Sequence, residues 1–357
     1  MSGSAGVATG VPGPALAASM LLALFAAGGA PRSQAAEMVR RFEAAPGKIT
    51  RVGSPTIYSS LQAAVDALPD GGGELRLGPG VYREKVLVAR ANVRLVGTGR
   101  RARDVVITWS DGAKEVGGTF RTASLEVRGD DFQARNLTVV NDHWLRSADP
   151  SQAVALYITG DRAFVENVRM LGAQDTLYAA SRKCEGPDCR ISRQYFRDCY
   201  VEGHVDFIFG NSKAFFENCE LHAVPHDEVM LTAHMRTGPD EDRAYVFDHC
   251  RITSEPGVGT LWLGRPWRDY SRVIFLNTRI DAPLHPDGWR EWTPGETHRL
   301  TTAFYAEYAS TGAGAPRLAR EPYSRQLSAV EAAAWSAKQL LAGDDGWAPQ
   351  DAPRASR

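Results

Sequence analysis

The feature that most constrains the fold is a nine-residue strand-like segment that recurs along the chain. Its six copies are rich in β-branched and aromatic residues and read DFQARNLTV (131–139), RAFVENVRM (162–170), RQYFRDCYV (193–201), KAFFENCEL (213–221), AYVFDHCRI (244–252) and RVIFLNTRI (272–280). Successive copies begin 31, 31, 20, 31 and 28 residues apart. Such intervals are typical of a solenoid, in which each turn buries its apolar face against the next. The repeat predicts an all-β chain folded as a right-handed parallel β-helix.

Two positions inside the repeat favour this fold. The sixth position, at the predicted corner of each turn, is polar: Asn136, Asn167, Asp198, Asn218, His249 and Asn277. Asn and Asp accept the left-handed backbone that a tight corner needs. The seventh position places Cys199, Cys219 and Cys250 in one inward-facing stack, where they act as small apolar fillers and not as ligands. A β-sandwich is the alternative, but the two-residue hairpin turns that it needs are scarce.

The two ends of the chain differ from the repeat. Residues 1–35 contain an apolar stretch, 15–27, that is too short to span a bilayer and is followed by small residues. This pattern predicts a signal peptide and a secreted or periplasmic protein; the alternatives are a misplaced start or a disordered cytoplasmic tail. The catalytic β-helix domain is expected over 36–325. Residues 326–357 are expected to form a tail with one helix, from the N-cap Ser328 to Gly343, covering the end or side of the solenoid.

Composition and cysteine content exclude several classes of protein. The formal net charge of −1, without a long basic block, disfavours a nucleic-acid partner. In an exported protein, Cys184 and Cys189 of the segment KCEGPDC are a plausible disulfide pair. Their C-x4-C spacing lacks companion histidines and is a poor zinc signature, so no metal site is predicted.

Two carboxylates recur with the same offset from the repeat. Asp175 follows Val168 by seven residues, and Asp206 follows Cys199 by seven residues. They should therefore stand in the same place on successive turns, where strands lie roughly 4.8 Å apart. Like charges at such a distance cannot both ionise easily, which separates a proton donor from a nucleophile or base. The alternative is that both are turn-forming residues at coil corners.

The segments around these carboxylates resemble a known family. The chain carries GAQDTLY (172–178), EGHVDFIFG (202–210) and LGRPW (263–267), and the similarity extends from VYREK (81–85) through GWREW (288–292) to FYAEY (304–308). These blocks resemble, in order, the signatures of the pectinesterase (pectin methylesterase) family, as in a bacterial-type member. The resemblance implies hydrolysis of the methyl esters of polygalacturonate in pectin, giving pectate and methanol. It also implies that no cofactor or metal is needed.

The resemblance implies a role for each matching catalytic residue. Asp206 would attack the ester carbonyl as nucleophile, and Asp175 would serve as acid and then as base. The amides of Gln152 and Gln174 would stabilise the oxyanion. Arg265 would hold Asp206 ionised and oriented through its planar guanidinium group.

The same resemblance suggests which aromatic residues bind substrate. Trp267 and Trp289 resemble the aromatics of the family's groove, where flat rings suit the apolar faces of sugars. Phe209 and Tyr178 are weaker candidates, because an aromatic residue in a strand more often belongs to the core. The expected partner is pectin, with no nucleic acid and no membrane, and the enzyme is expected to be a monomer.

Other functions remain open at this point. A β-helix with paired carboxylates could be a glycoside hydrolase or a calcium-dependent pectate lyase, although the Asn-Thr-Asp and Arg-His-Gly signatures are absent. A catalytically inactive carbohydrate-binding solenoid is the third possibility. A serine esterase is disfavoured because Gly-x-Ser-x-Gly is absent.

One insertion falls between the two carboxylates. The repeat interval that contains 180–192 is 31 residues, whereas the shortest interval is 20. Because solenoid insertions often collect on the binding face, this segment should wall one end of the groove. Arg182, Lys183 and Arg190 would there meet de-esterified galacturonate. The alternative is an exposed loop without substrate contact.

Overall fold

The fold is seen in a computed structural model of the chain. It describes residues 41–182, 191–315, 320 and 322–354. The leader expected within 1–35 lies outside the described residues, and so do Cys184, Cys189 and the other residues of 183–190.

The chain winds into a parallel β-helix with three faces, which confirms the predicted fold. Face 1 consists of Gly73–Leu77, Val93–Gly97, the first parts of Gln133–Asn141 and Ala163–Leu171, Arg193–Arg197, Lys213–Glu217, Ala244–Asp248, Arg272–Leu276, Phe304–Tyr308 and Ser324–Gln326. Face 2 consists of Gly80–Arg83, Val105–Trp109, the second parts of the two long strands, Tyr200–Gly203, Glu220–Ala223, Arg251–Ser254 and Arg279–Ile280. Face 3 consists of Val86–Val88, Leu125–Val127, Leu156–Ile158, Leu177–Ala179, Ile208–Gly210, Glu228–His234 and Thr260–Pro266.

Helices and a short antiparallel pair complete the described structure. The pair, Ile49–Arg51 with Ile57–Tyr58, precedes face 1. The α-helices are Leu61–Asp66, Ala113–Val116, His143–Arg146, His298–Thr302, Ala329–Ala333 and Ala337–Leu340, and the 3₁₀ helices are Ala102–Asp104, Thr119–Arg121 and Pro349–Asp351.

The polar corner between faces 1 and 2 has the predicted backbone conformation. All six residues at the sixth position of the repeat have φ between 47° and 55°. Their side chains also link successive turns: Asn167 Nδ2 donates to Asn136 Oδ1 at 3.0 Å, and Asn277 Nδ2 donates to Oδ1 of Asp248, the residue before His249, at 2.8 Å. Short polar side chains therefore suit the corner both by accepting a left-handed backbone and by satisfying one another.

The interior is filled by side chains stacked from turn to turn. Phe216 lies between Phe196 and Phe247, with ring centroids 4.5 Å away on each side. Cys199, Cys219 and Cys250 are buried and unpaired, with their thiols near backbone carbonyls, as the filler prediction required. Because the strands pair in register, each inward-facing apolar residue packs on an apolar residue of the next turn. The core therefore runs along the inside of the solenoid from turn to turn.

The C-terminal segment differs from the single helix predicted over 328–343. It forms two short helices, because the Ser336 side chain accepts a hydrogen bond from Gln339 N and begins a second helix. Ser328 caps the first helix as predicted, and a capping box with Glu331 completes it. Leu340 and Leu341 pack on the outer side of face 1, so the segment covers the side of the solenoid.

Candidate active site

The two repeat-related aspartates occupy equivalent positions on successive turns. Leu177 pairs with Ile208 in face 3, and Asp175 and Asp206 each lie two residues before this pair. Both have a left-handed backbone, with φ of 66° and 53°. Asp175 N donates to Val205 O at 3.1 Å, which ties the two turns together beside the carboxylates. The register of face 3 therefore fixes the spacing of the pair.

The environments of the two carboxylates are unequal. Asp206 is 4% exposed and receives two hydrogen bonds from Arg265, Nε to Oδ1 at 2.9 Å and Nη2 to Oδ2 at 2.7 Å. Asp175 is 8% exposed, and no described Arg or Lys lies within 4.0 Å of it. A bidentate guanidinium pair favours the ionised form of the carboxylate that it contacts.

Burial and charge separate the protonation states. The pKa of Asp175 lies well above its usual range because the group is buried and the charge of Asp206 disfavours its ionisation, with only partial opposition from Arg265. The pKa of Asp206 is raised as well, because burial outweighs the opposing hydrogen bonds and charge of Arg265. Because only Asp206 is held by the arginine, the two environments favour the proton on Asp175 and the ionised form of Asp206.

The aspartates lie in a cleft of about 330 Å³ on the outside of face 3. Its lining is mixed amide, charged and aromatic: Thr119, Phe120, Gln152, Gln174, Asp175, Asp206, Phe209, Ala233, Arg265, Trp267 and Trp292. The five residues expected to be catalytic thus converge in one place. Backbone bonds hold both glutamines, since Ala153 N donates to Gln174 O and Ala113 N donates to Gln152 O.

The expected groove aromatics do not all reach the cleft. Trp267 and Phe209 line it, with ring centroids 6.0 Å apart. Tyr178 is 9% exposed and lies behind the lining, against Phe209 at 4.8 Å. Trp289 is 1% exposed and stacks on Tyr305 in the core at 4.0 Å, so the expectation that it faces the groove is wrong.

Two cleft aromatics were missed by the sequence analysis. Trp292, in the same GWREW segment as Trp289, lines the cleft and lies under the Arg265 guanidinium at 4.2 Å from its ring centroid. Phe120 is 49% exposed and packs on Tyr178 at 5.0 Å. Phe120 lies in the insertion between Val105–Trp109 and Leu125–Val127, where the repeat gives no register. Trp289 and Trp292 are three residues apart, and in extended backbone an odd spacing places two side chains on opposite sides. This spacing was the only sequence feature to indicate that one of them faces the core.

Within the described ranges, His, Cys, Asp and Glu side chains do not form a group of three or more that could hold a metal ion. In the same part of the chain, no helix is both long and apolar enough to cross a bilayer.

Comparison with known proteins identifies what this arrangement is similar to. The family model described as Pectinesterase matches residues 50–344. Pectinesterase QRT1 of Arabidopsis thaliana is 35% identical over 297 residues, covering 80% of this chain and 74% of the relative. Pectinesterase 31 of the same plant is 37% identical over 288 residues, covering 77% and 86%. The solved structure of pectin methylesterase from carrot aligns with a TM-score of 0.75 and 30% identity, covering 84% of this chain and 95% of the carrot protein. These relatives are plant proteins, so the narrower bacterial-type assignment does not follow from them.

Proposed function

The chain belongs to the pectinesterase family, and we propose that its ester hydrolysis proceeds through Asp206 as nucleophile and Asp175 as acid and base. As a pectinesterase it is a carboxylic ester hydrolase that converts methylated polygalacturonate to pectate and methanol. The observation that supports the proposed roles is the unequal pair itself. Two buried carboxylates share one cleft, and only Asp206 is held by a bidentate arginine.

In the first step the Asp206 carboxylate attacks the ester carbonyl carbon. The new bond gives a tetrahedral oxyanion, to which the amides of Gln152 and Gln174 donate hydrogen bonds. When the C–OCH₃ bond breaks, Asp175 gives its proton to the methoxide oxygen, and methanol leaves. The product is an acyl anhydride on Asp206, and Asp175 is now ionised.

In the second step a water molecule takes the place of methanol. Asp175 accepts a proton from this water, and the oxygen attacks the acyl carbon of the anhydride. The bond to Asp206 breaks, galacturonate is released as its acid, and Asp175 is again protonated. Arg265 stabilises the Asp206 carboxylate both before attack and as the leaving group.

Substrate binding is proposed for the aromatic lining of the cleft. Trp267, Phe209 and Trp292 offer apolar surfaces for sugar rings, and exposed Phe120 offers one more at the rim. Tyr178 supports this lining from behind.

The remaining proposals concern organisation and location. A leader within 1–35 would carry the enzyme to a secreted or periplasmic location, with a monomeric catalytic β-helix over 36–325 and a helical tail over 326–357. The N-terminal sequence of the exported protein would test the leader. Mass spectrometry of unreduced peptides would test a Cys184–Cys189 bridge.

Methanol release from methylated pectin is the direct test of the function. The purified chain should release methanol without cleaving the polymer between pH 4 and 9. Depolymerisation to unsaturated products, or absence of methanol throughout this range, would refute the esterase assignment.

A further inference from the structure

A second cleft, of about 790 Å³, lies on the outer side of face 2. It begins at His204, only two residues before Asp206, whose side chain lines the catalytic cleft. Its floor comes from neighbouring strands, with Arg169 directly opposite Tyr200. No residue of this second cleft takes part in the proposed ester hydrolysis.

One side of the second cleft collects positive charge. Arg41, Arg103 and Arg169 line it, and the Arg41 guanidinium donates to Arg103 O at 2.9 Å. Burial and the nearby charges of Arg169 and Arg103 lower the pKa of Arg41, and Asp104 opposes this effect. Among the described residues, no carboxylate lies within 4.0 Å of these three guanidinium groups. Clustered cations without paired carboxylates are relieved when an anion binds between them.

The second cleft also holds a buried carboxyl group. Glu202 is 8% exposed, and Tyr200 OH donates to its Oε2 at 2.8 Å, while no described residue donates to Oε1. Burial raises the pKa of Glu202 to about 7, against the effects of Tyr200 and Arg169, and Glu255 raises it further. A sulfate ion can use only the O–H of such a group when it is protonated, whereas a sugar hydroxyl can both donate to it and accept from it. A ligand that carries hydroxyl groups beside its own carboxylate fits both Glu202 and the arginines.

The walls supply flat apolar surfaces. Trp144 and Leu145 pack with Leu171 and Tyr200 in one hydrophobic cluster. On the other side, the rings of His204 and His226 stack at 4.4 Å. The pKa of His204 is lowered to about 4 by burial and by His226, so its ring is neutral above that pH. The neutral ring of His204 and the indole face of Trp144 suit the C–H surface of a sugar.

We propose that the second cleft is a non-catalytic binding site for de-esterified galacturonate residues. The arginines would bind carboxylates, Glu202 would bind ring hydroxyls, and Trp144 would contact a sugar face, while Tyr200 lies between Arg169 and His222 and supports the floor. This proposal rests on the pectinesterase function, since the ligand is the product of that reaction. Retention of a de-esterified stretch would raise the effective concentration of the remaining esters of the same polymer at the catalytic cleft.

The test is calorimetric titration of the full chain with a short, fully de-esterified oligogalacturonide. Two sites are expected. The double variant Arg103→Ala/Arg169→Ala should weaken ligand affinity at one site by about tenfold or more, since each substitution removes a charge-assisted hydrogen bond to the ligand. Its kcat on short methylated oligomers should be unchanged, whereas its KM for long, partly de-esterified pectin should rise. Trp267→Ala should weaken the other site. Arg76→Ala, which removes an exposed arginine of face 1, is the matched control and should leave both sites intact.

Glu202→Gln distinguishes sugar recognition from general attraction of anions. Compared with the parent chain, this variant should bind the oligogalacturonide less tightly. Its affinity for polyglutamate of similar length should not fall. A single site that only Trp267→Ala weakens would overturn the proposal, as would equal affinity of the second cleft for polyglutamate and oligogalacturonide. Failure of the catalytic assignment would instead appear as absent methanol release by the unaltered chain.

Discussion

Replacement of Arg265 by methionine tests whether this residue decides which aspartate holds the shared proton. Methionine keeps most of the side-chain length and loses both hydrogen bonds to Asp206. Removal of one partner from a buried ion pair costs about 3 to 5 kcal/mol, because the other charge is left uncompensated. At 1.36 kcal/mol per pKa unit, the pKa of Asp206 should rise by roughly 2 units or more.

The direction of this shift determines the kinetic effect. Asp206 must be ionised to attack, so a higher pKa moves the acid limb of the pH profile to higher pH. Asp175, whose own pKa is raised, must still hold its proton. When the proton moves to Asp206, the singly protonated pair is in the unproductive form. We therefore expect kcat at the optimum to fall by roughly a hundredfold or more, with KM little changed.

Methanol release at several pH values, with separate kcat and KM, is the assay. Arg265→Lys should recover part of the activity, because an ammonium supplies the charge without the planar fork. Arg290→Met is the matched control, because Arg290 affects Asp206 by its charge alone and forms its ion pair with Glu228. Near-normal kcat for Arg265→Met, or a loss confined to KM, would show that the ion pair does not control the location of the proton.

Five further predictions concern the site, the segment 183–190 and the core. Asp206→Asn should abolish methanol release while circular dichroism stays unchanged, and Gln152→Ala or Gln174→Ala should each lower kcat by about 10²-fold; an active Asp206 variant would remove it as nucleophile. EDTA should leave the rate on a soluble substrate unchanged, and a loss that calcium restores would favour a lyase. Replacing 183–190 by a short Gly/Ser linker should raise KM for long pectin and spare small methylated oligomers; equal kinetics on both would exclude a substrate-binding role for the segment. Phe216→Ala should lower the free energy of unfolding by about 3 to 5 kcal/mol in denaturant titration, and a change below 1 kcal/mol would contradict its place in the central stack.

The sequence predicts what depends on the repeat. Because strands pair in register, equal offsets from Val168 and Cys199 were enough to bring Asp175 and Asp206 together. The left-handed corner followed from residue type alone, since Asn and Asp tolerate that backbone conformation.

Features that depend on tertiary packing were not predictable in this way. Trp289 and Trp292 share a motif, but Trp289 forms a bridge with Gly264 and its side chain lies in the core, whereas Trp292 lies under the Arg265 guanidinium. Phe120 sits in an insertion with its own 3₁₀ turn, outside the repeat. The division of the C-terminal segment into two helices was not predicted, because the sequence on both sides of Ser336 favours a helix. A serine can lie within a helix or cap the start of a new one, and Ser336 does the latter.

The equivalence of Asp175 and Asp206 on successive turns has a consequence for how such an enzyme can change. The spacing of the two carboxylates follows the spacing of neighbouring strands, which main-chain hydrogen bonds set. The segments that leave and re-enter the turns, such as the one that carries Phe120, can lengthen or shorten without altering that spacing. The spacing of the carboxylates and the outer rim of the cleft are therefore set by separable parts of the chain, so exchanging the Phe120 segment between relatives should change the rim while leaving the pair in place.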